Sequence, residues 1–251
     1  RTHLSTTQGM VLDVVCEYDY QYSEDYMNLE TTNRHTRNIA ILFLQDGDRR
    51  WARREGVSYA EGYRAMAKKI ALLVDYLHTQ GITKLYLPTN SVANLSRPPD
   101  QVTGFFEAYL KIPEYTQLGV KIVLHGNFDL TPPDFKPRYQ ELERITSENN
   151  EFTLHLLLNW STLDELTRIM RKLQTDRKEV TPATLIEYSD IPEKIDLIIR
   201  TGKVRRLSSF IPLSGEYAEL YFMDILFPDL TESDIQAALD HYFSQERTLG
   251  V

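Results

Sequence analysis

Sulfur chemistry is nearly missing from this sequence. Cys16 is the single cysteine among 251 residues, so no internal disulfide can form and a reducing, cytoplasmic setting is expected. No apolar run approaches the roughly 20 residues of a membrane-spanning helix, which argues against stable membrane insertion. No positively charged, apolar leader is legible. The Walker loop and the G-x-G-x-x-G fingerprint are absent. So are the G-x-S-x-G elbow and the aspartate-rich D-D-x-x-D. None of the six histidines pairs with another at metal-ligand spacing. Excess positive charge is lacking too: 28 Lys and Arg stand against 36 Asp and Glu, a net −8. Such a chain gains little from a nucleic-acid backbone, so no nucleic-acid partner is expected. Local basic clusters in an acidic whole suit a compact anion instead.

What remains is ordinary for a globular protein, with 42% hydrophobic and 25% charged residues. The length suits one large α/β domain. Residues 1–37 are polar and weakly patterned, with Met10 to Val15 as the one short candidate element, and read as an N-terminal extension. From Asn38 to Val251 strand and helix patterns alternate. Strands are expected at Ile39–Leu44, Lys84–Pro88, Lys121–Leu124, Phe152–Leu158, Ile195–Ile199 and Tyr217–Phe222. Helices are expected at Ala60–Thr79, Asp100–Lys111, Pro137–Glu148, Thr162–Leu173, Pro182–Tyr188 and Asp234–Phe243. Alternation of this kind predicts a single α/β domain with a mostly parallel central sheet and helices on both faces.

Four clusters carry the chemistry. Asp46-Gly47-Asp48-Arg49-Arg50-Trp51 follows the first strand, where open α/β sheets hold ligands. Asp46 read alone suits either a helix cap or a hard divalent cation. Gly47, Asp48 and Arg49 can offer backbone N–H groups to a diphosphate at a helix N-terminus, and Arg49 and Arg50 can fork onto its oxygens. Ser91, Asn94 and Arg97 follow the second strand on the same rim and supply hydrogen bonds and a cation. Arg200 ends the fifth strand, with Gly202, Lys203, Arg205, Arg206, Ser208 and Ser209 just beyond, a constellation suited to bidentate phosphate recognition. Glu219 alternates with apolar neighbours, and a carboxylate on a buried strand needs a cation partner.

Together, in order and spacing, these clusters resemble the cis-prenyltransferases, the undecaprenyl diphosphate synthase family. The resemblance rests on Gln45 to Ala52, Asn90 to Pro98, Ile199 to Phe210 and Tyr217 to Asp229, with Gln245-Glu246-Arg247 matching the tail. It implies an Mg2+-dependent transferase of prenyl groups that acts on allylic diphosphates, usually as a homodimer. It also implies roles. Asp46 becomes the metal and catalytic aspartate, and Gly47, Asp48, Arg49 and Arg50 cradle the leaving diphosphate. Asn94 and Arg97 assist ionisation, while Arg200, Arg206 and Ser208 hold the second diphosphate. Glu219 would complete the magnesium site, bridging two diphosphates with Asp46, which requires both carboxylates at one end of the sheet.

Departures from the pattern narrow the expectation. Tyr59 and Tyr63 stand where chain-elongating members carry an arginine and a histidine, and are taken as substrate contacts. Asp48 replaces an asparagine, Ala93 a glutamate and Leu95 a tryptophan, and Asn159-Trp160-Ser161-Thr162 replaces a glycine-rich turn. These forms are more similar to the lavandulyl and cyclolavandulyl diphosphate synthases, which join two short allylic units head-to-middle. The expected activity is therefore an irregular condensation, with dimethylallyl diphosphate as substrate and a branched, linear or cyclic product. Elongation with isopentenyl diphosphate, or cyclase-like conversion of a preformed prenyl diphosphate, is the alternative.

Overall fold

A computed structural model describes residues 38–246. The expectations for residues 1–37, including Cys16, and for Arg247 in the tail lie outside them. Among the described residues six strands form one sheet: β1 (Ile41–Leu44), β2 (Lys84–Pro88), β3 (Val120–Gly126), β4 (Phe152–Leu158), β5 (Leu197–Arg200) and β6 (Glu219–Phe222). Their order is β3-β4-β2-β1-β5-β6, and every pairing is parallel. All C-terminal strand ends thus share one rim, as the sequence pattern predicts.

The helices are α1 (Asp48–Glu55), α2 (Tyr59–Thr79), α3 (Pro99–Leu110), α4 (Ile112–Tyr115), α5 (Lys136–Thr146), α6 (Thr162–Asp176), α7 (Pro182–Glu187) and α8 (Glu232–Ser244). The turn between α1 and α2 follows from chemistry. Gly56 closes α1 in the left-handed conformation, and Ser58 opens α2 with a capping box to Glu61. On α2, Met66, Ile70, Leu73, Val74 and Leu77 are all buried, which fits the helical period of the sequence.

Alternate strand residues face opposite sides. Ile41, Phe43, Leu85, Leu87, Leu154 and Leu156 join the main core with the apolar stripes of α2, α3, α5 and α8. Leu42, Leu44, Tyr86, Leu157 and Ile198 join a smaller core closed by Trp160, Ile191 and Ile195. Against the smaller core, Glu165 of α6 is 1% exposed. Its Oε1 accepts the Asp190 N–H at 2.7 Å, and its Oε2 is buried without a partner. Burial, aided by the nearby Asp190 carboxylate, pushes the Glu165 carboxyl up to about 7 against the hydrogen bond from the Asp190 N–H and the charge of Arg168.

The sign follows directly. A raised acid holds a proton in the folded chain that the unfolded chain has released, so stability falls as pH rises from about 4.5 to about 7. Glu165→Gln keeps the acceptor for Asp190 and removes the buried charge. It is expected to raise stability at pH 8 by about 1–3.5 kcal/mol, the upper end being the shift converted at about 1.4 kcal/mol per unit. At pH 4 the difference should vanish. Urea midpoints of the two proteins across that range provide the check. Parallel pH curves would remove Glu165 as the cause.

Candidate active site

The C-terminal rim of β1, β2 and β5 opens into a cavity of about 370 Å³. The sequence order explains what lines it. β1 ends at Leu44, and Gly47 turns the chain into α1 with φ +127°, so the first turn of α1 borders the cavity. A helix N-terminus leaves backbone N–H groups without intrahelical partners and carries positive potential. Glycine is required at the turn, since a Cβ there would have φ unsuited to L-residues and lie 3.0 Å from Leu226.

Asp46 sits between two guanidinium groups. Arg50 Nη2 donates to Oδ1 at 3.0 Å, and Arg200 Nη2 donates to Oδ2 at 2.9 Å. The Asp46 backbone is clasped by Thr201, whose fully buried hydroxyl accepts the Asp46 N–H at 2.9 Å and donates to its carbonyl at 3.0 Å. Arg50 also donates to the Gly202 carbonyl at 2.6 Å. Arg200 is 6% exposed and donates to the Arg206 carbonyl at 2.6 Å and to Ser208 Oγ at 3.1 Å, while its Nε is buried without a partner. An arginine held this firmly, with capacity to spare, suits an oxyanion. Ser208 holds its place at φ +58°, a conformation uncommon outside glycine.

Opposite this cluster stand Ser91, Asn94 and Arg97. They come from the turn of 3-10 helix at Val92–Ser96 that follows β2. Asn94 Oδ1 accepts the Ser91 N–H at 3.1 Å, which fixes the turn and the position of the Asn94 amide. Asp48, half-buried, lines the same cavity. Burial first, and then the Asp46 charge, raises its carboxyl to about 7, and its Oδ1 is buried without a partner.

The structure therefore brings Asp46, Gly47, Asp48, Arg49, Arg50, Tyr63, Ser91, Asn94, Arg97, Arg200 and Ser208 to one cavity. Three expected residues are not there. Tyr59 is the first residue of α2 and packs, half-buried, against the main core. Arg206 contributes its backbone carbonyl to Arg200, while its side chain is exposed outside the cavity. Glu219 opens β6 and pairs in register with Leu197, three positions before Arg200. In a parallel sheet that places it about 10 Å down the strand from the rim, at 3.3 Å per residue. It is half-exposed at the strand start, and within one chain it does not meet Asp46.

The sequence reading also missed contributors. Thr201 and Gln45 stand inside the quoted motifs but read as unremarkable polar residues. Tyr109, in register with Val102, Phe105 and Phe106, reads as core or as apolar tunnel wall, and its hydroxyl is not anticipated as a polar contact. In the structure Gln45 Nε2 donates to Tyr109 Oη and to the Pro88 carbonyl, both at 2.5 Å.

The sequence and the fold have clear relatives. The sequence model of the family described as "Putative undecaprenyl diphosphate synthase" matches residues 44–250. This chain belongs to that family, the cis-prenyltransferases. It is 28% identical over 218 residues to the isoprenyl transferase of Fusobacterium nucleatum, covering 84% of this chain and 94% of that protein. It is also 28% identical over 228 residues to the Escherichia coli ditrans,polycis-undecaprenyl-diphosphate synthase described as (2E,6E)-farnesyl-diphosphate specific, covering 85% and 89%. Among solved structures, the lavandulyl diphosphate synthase of Lavandula x intermedia, in complex with dimethylallyl diphosphate, matches with a TM-score of 0.76 at 22% identity. The match covers 84% of this chain and 98% of that one. The Campylobacter jejuni probable undecaprenyl diphosphate synthase matches with a TM-score of 0.70, also at 22% identity, covering 88% and 100%. At such identity the two structures establish the cis-prenyltransferase fold alone. With its relatives, the chain is a prenyltransferase.

Among the described residues no group of three or more His, Cys, Asp or Glu side chains is arranged to hold a metal. That donor set still fits Mg2+, which usually takes one or two carboxylates and completes its shell with substrate phosphates and water. No helix among them is long and apolar enough to cross a membrane.

Proposed function

We propose that this cis-prenyltransferase joins two short allylic diphosphates head-to-middle, with dimethylallyl diphosphate as both donor and acceptor. The observation that carries the reading is the cavity itself. Phosphate-binding groups crowd a cavity of only about 370 Å³, and Tyr63 lines it where elongating members carry a basic residue. Two short allylic units and two diphosphates match that balance of many charged groups and little volume. The lavandulyl diphosphate synthase was captured with dimethylallyl diphosphate, the substrate assigned here to this chain.

In the proposed reaction the donor's C1–O bond breaks and the diphosphate departs with the electron pair. The first turn of α1, with Arg49 and Arg50, stabilises that leaving charge, and Arg97 and the Asn94 amide lie across the cavity from it. Arg200 and Ser208 orient the second diphosphate. Its double bond attacks the allylic cation, a carbon–carbon bond forms, and a tertiary cation remains. Loss of one proton to the departed diphosphate gives a branched, lavandulyl-type diphosphate. Further ring closure before that loss would give a cyclic one. Asp46 would hold Mg2+, which supplies charge neutralisation to the diphosphate when bound. The active form is proposed to be a homodimer.

Elongation with isopentenyl diphosphate is the competing reading, favoured by the names of the 28%-identical relatives. Incubation with Mg2+ and dimethylallyl diphosphate alone separates the two. A C10 product formed without isopentenyl diphosphate is expected. Product that appears only when isopentenyl diphosphate is added would establish elongation instead.

A further inference from the structure

The floor of the cavity is polar, and that is unusual for a site that must admit hydrocarbon. Gln45, at the end of β1, reaches across to Pro88 at the end of β2 and to Tyr109 on α3. Tyr109 Oη passes the connection on, donating to the Thr89 carbonyl at 2.9 Å. This latch ties two strand ends to α3 at the bottom of the cavity. Three further polar atoms beside it are buried without partners: Gln45 Oε1, Asp48 Oδ1 and Tyr63 Oη. Water can satisfy such atoms, whereas an alkyl chain that displaces the water cannot.

Nor is there room behind the latch. Phe105 and Phe106 lie with ring centroids 4.7 Å apart, and Phe106 stacks on Phe135 at 5.1 Å and meets Tyr139 edge-on at 5.9 Å. The Tyr139 hydroxyl donates to the Phe106 carbonyl at 2.9 Å and fixes this wall. The space between α3 and α5 is packed with rings.

We propose that the Gln45–Tyr109 latch is the specificity-determining device of this enzyme and limits the allylic donor to one isoprene unit, with two as the ceiling. The proposal rests on the allylic-donor reading of the same cavity. It assigns the selection to hydrogen-bonded polar groups at the end of β1 and in α3.

The test compares C5, C10 and C15 allylic diphosphates as donors, together with dissociation constants for the unreactive C5 and C15 thiolodiphosphates. The unaltered protein is expected to favour C5 over C15 by at least about a hundredfold in kcat/KM. Tyr109→Ala, which opens the floor, should raise the C15:C5 ratio at least tenfold. Q45M/Y109F, which keeps the volume and removes the bonds, should raise it in the same direction, and Gln45→Met alone serves where the double variant does not fold. Equal use of C5 and C15 by the unaltered protein overturns the proposal, as does an unchanged ratio in Tyr109→Ala. A response to Tyr109→Ala with none to Q45M/Y109F overturns the role of the hydrogen bonds. The thiolodiphosphates read the ratio without turnover. A C5 preference in binding with no product from any donor would therefore overturn the proposed activity and still support the latch.

Discussion

Asp46→Asn is expected to lower turnover by about three orders of magnitude with the fold intact, and to reverse the effect of Mg2+ on diphosphate binding. The magnitude follows from losing charge stabilisation at the leaving group, where a single preorganised contact is worth about 10²–10³ in rate. The reversal is the sharper part. Without metal, the Asp46 carboxylate engages both Arg50 and Arg200, so an incoming anion must compete with it. Asparagine keeps the shape and drops the charge, which frees both guanidinium groups. Inorganic diphosphate in the presence of a chelator should therefore bind the variant more tightly than the parent. With Mg2+ present the order should invert, because the variant has lost the carboxylate that would hold the ion. Titration calorimetry with and without chelator reads both signs. Tighter binding by the variant in both conditions would mean that Asp46 acts on the arginines alone, and the metal assignment would fall.

Where sequence and structure agree, the reason is local. The parallel sheet is legible because buried strands such as Ile41–Leu44 and the Leu197–Ile199 stretch of β5 are continuous apolar runs, buried on both faces, with helix-period segments between them. The rim is legible because Asp46 comes just after β1, Arg200 closes β5 and the turn that carries Arg97 follows β2, and a parallel sheet puts all strand ends together. Glu219 marks the limit of that logic. Read as the middle of a strand, it could have faced the rim, and only the register with Leu197 places it at the far end. Local pattern does not encode register between strands distant in sequence. Arg206 and Tyr59 fail for another reason. A motif gives identity, while the direction of each side chain depends on the turn, and here Lys203 and Ser208 take positive φ on either side of Arg206. The Gln45–Tyr109 pair was hidden because a tyrosine at helical spacing with Phe105 and Phe106 cannot be told from plain core until its hydroxyl is placed.

Gly202→Ala should be strongly damaging, about tenfold less than loss of Asp46, though it removes no functional group. Gly202 has φ +94°, and a Cβ built there would lie 2.6 Å from Arg50 Nη2 and 2.8 Å from both Cβ and Cγ of Asp46. The guanidinium is the end of a flexible chain and can retreat. Asp46 Cβ cannot, because its backbone is clasped by Thr201 and its carbonyl also accepts the Phe227 N–H at 3.1 Å. The collision must therefore push the Asp46 carboxylate off its place or move the loop that carries Arg200. A displacement of about 1 Å at a site of this kind costs on the order of a hundredfold in kcat/KM. Gly56→Ala is the matched control. Gly56 also has positive φ, at +69°, but an added Cβ meets nothing within 4 Å. Both variants carry the backbone strain of alanine at positive φ, about 1 kcal/mol. Only Gly202→Ala carries the collision. A shared loss of stability with a loss of activity confined to Gly202→Ala is expected from melting curves and steady-state rates. Full activity in Gly202→Ala would show that the placement of Asp46 between its two arginines does not govern the reaction.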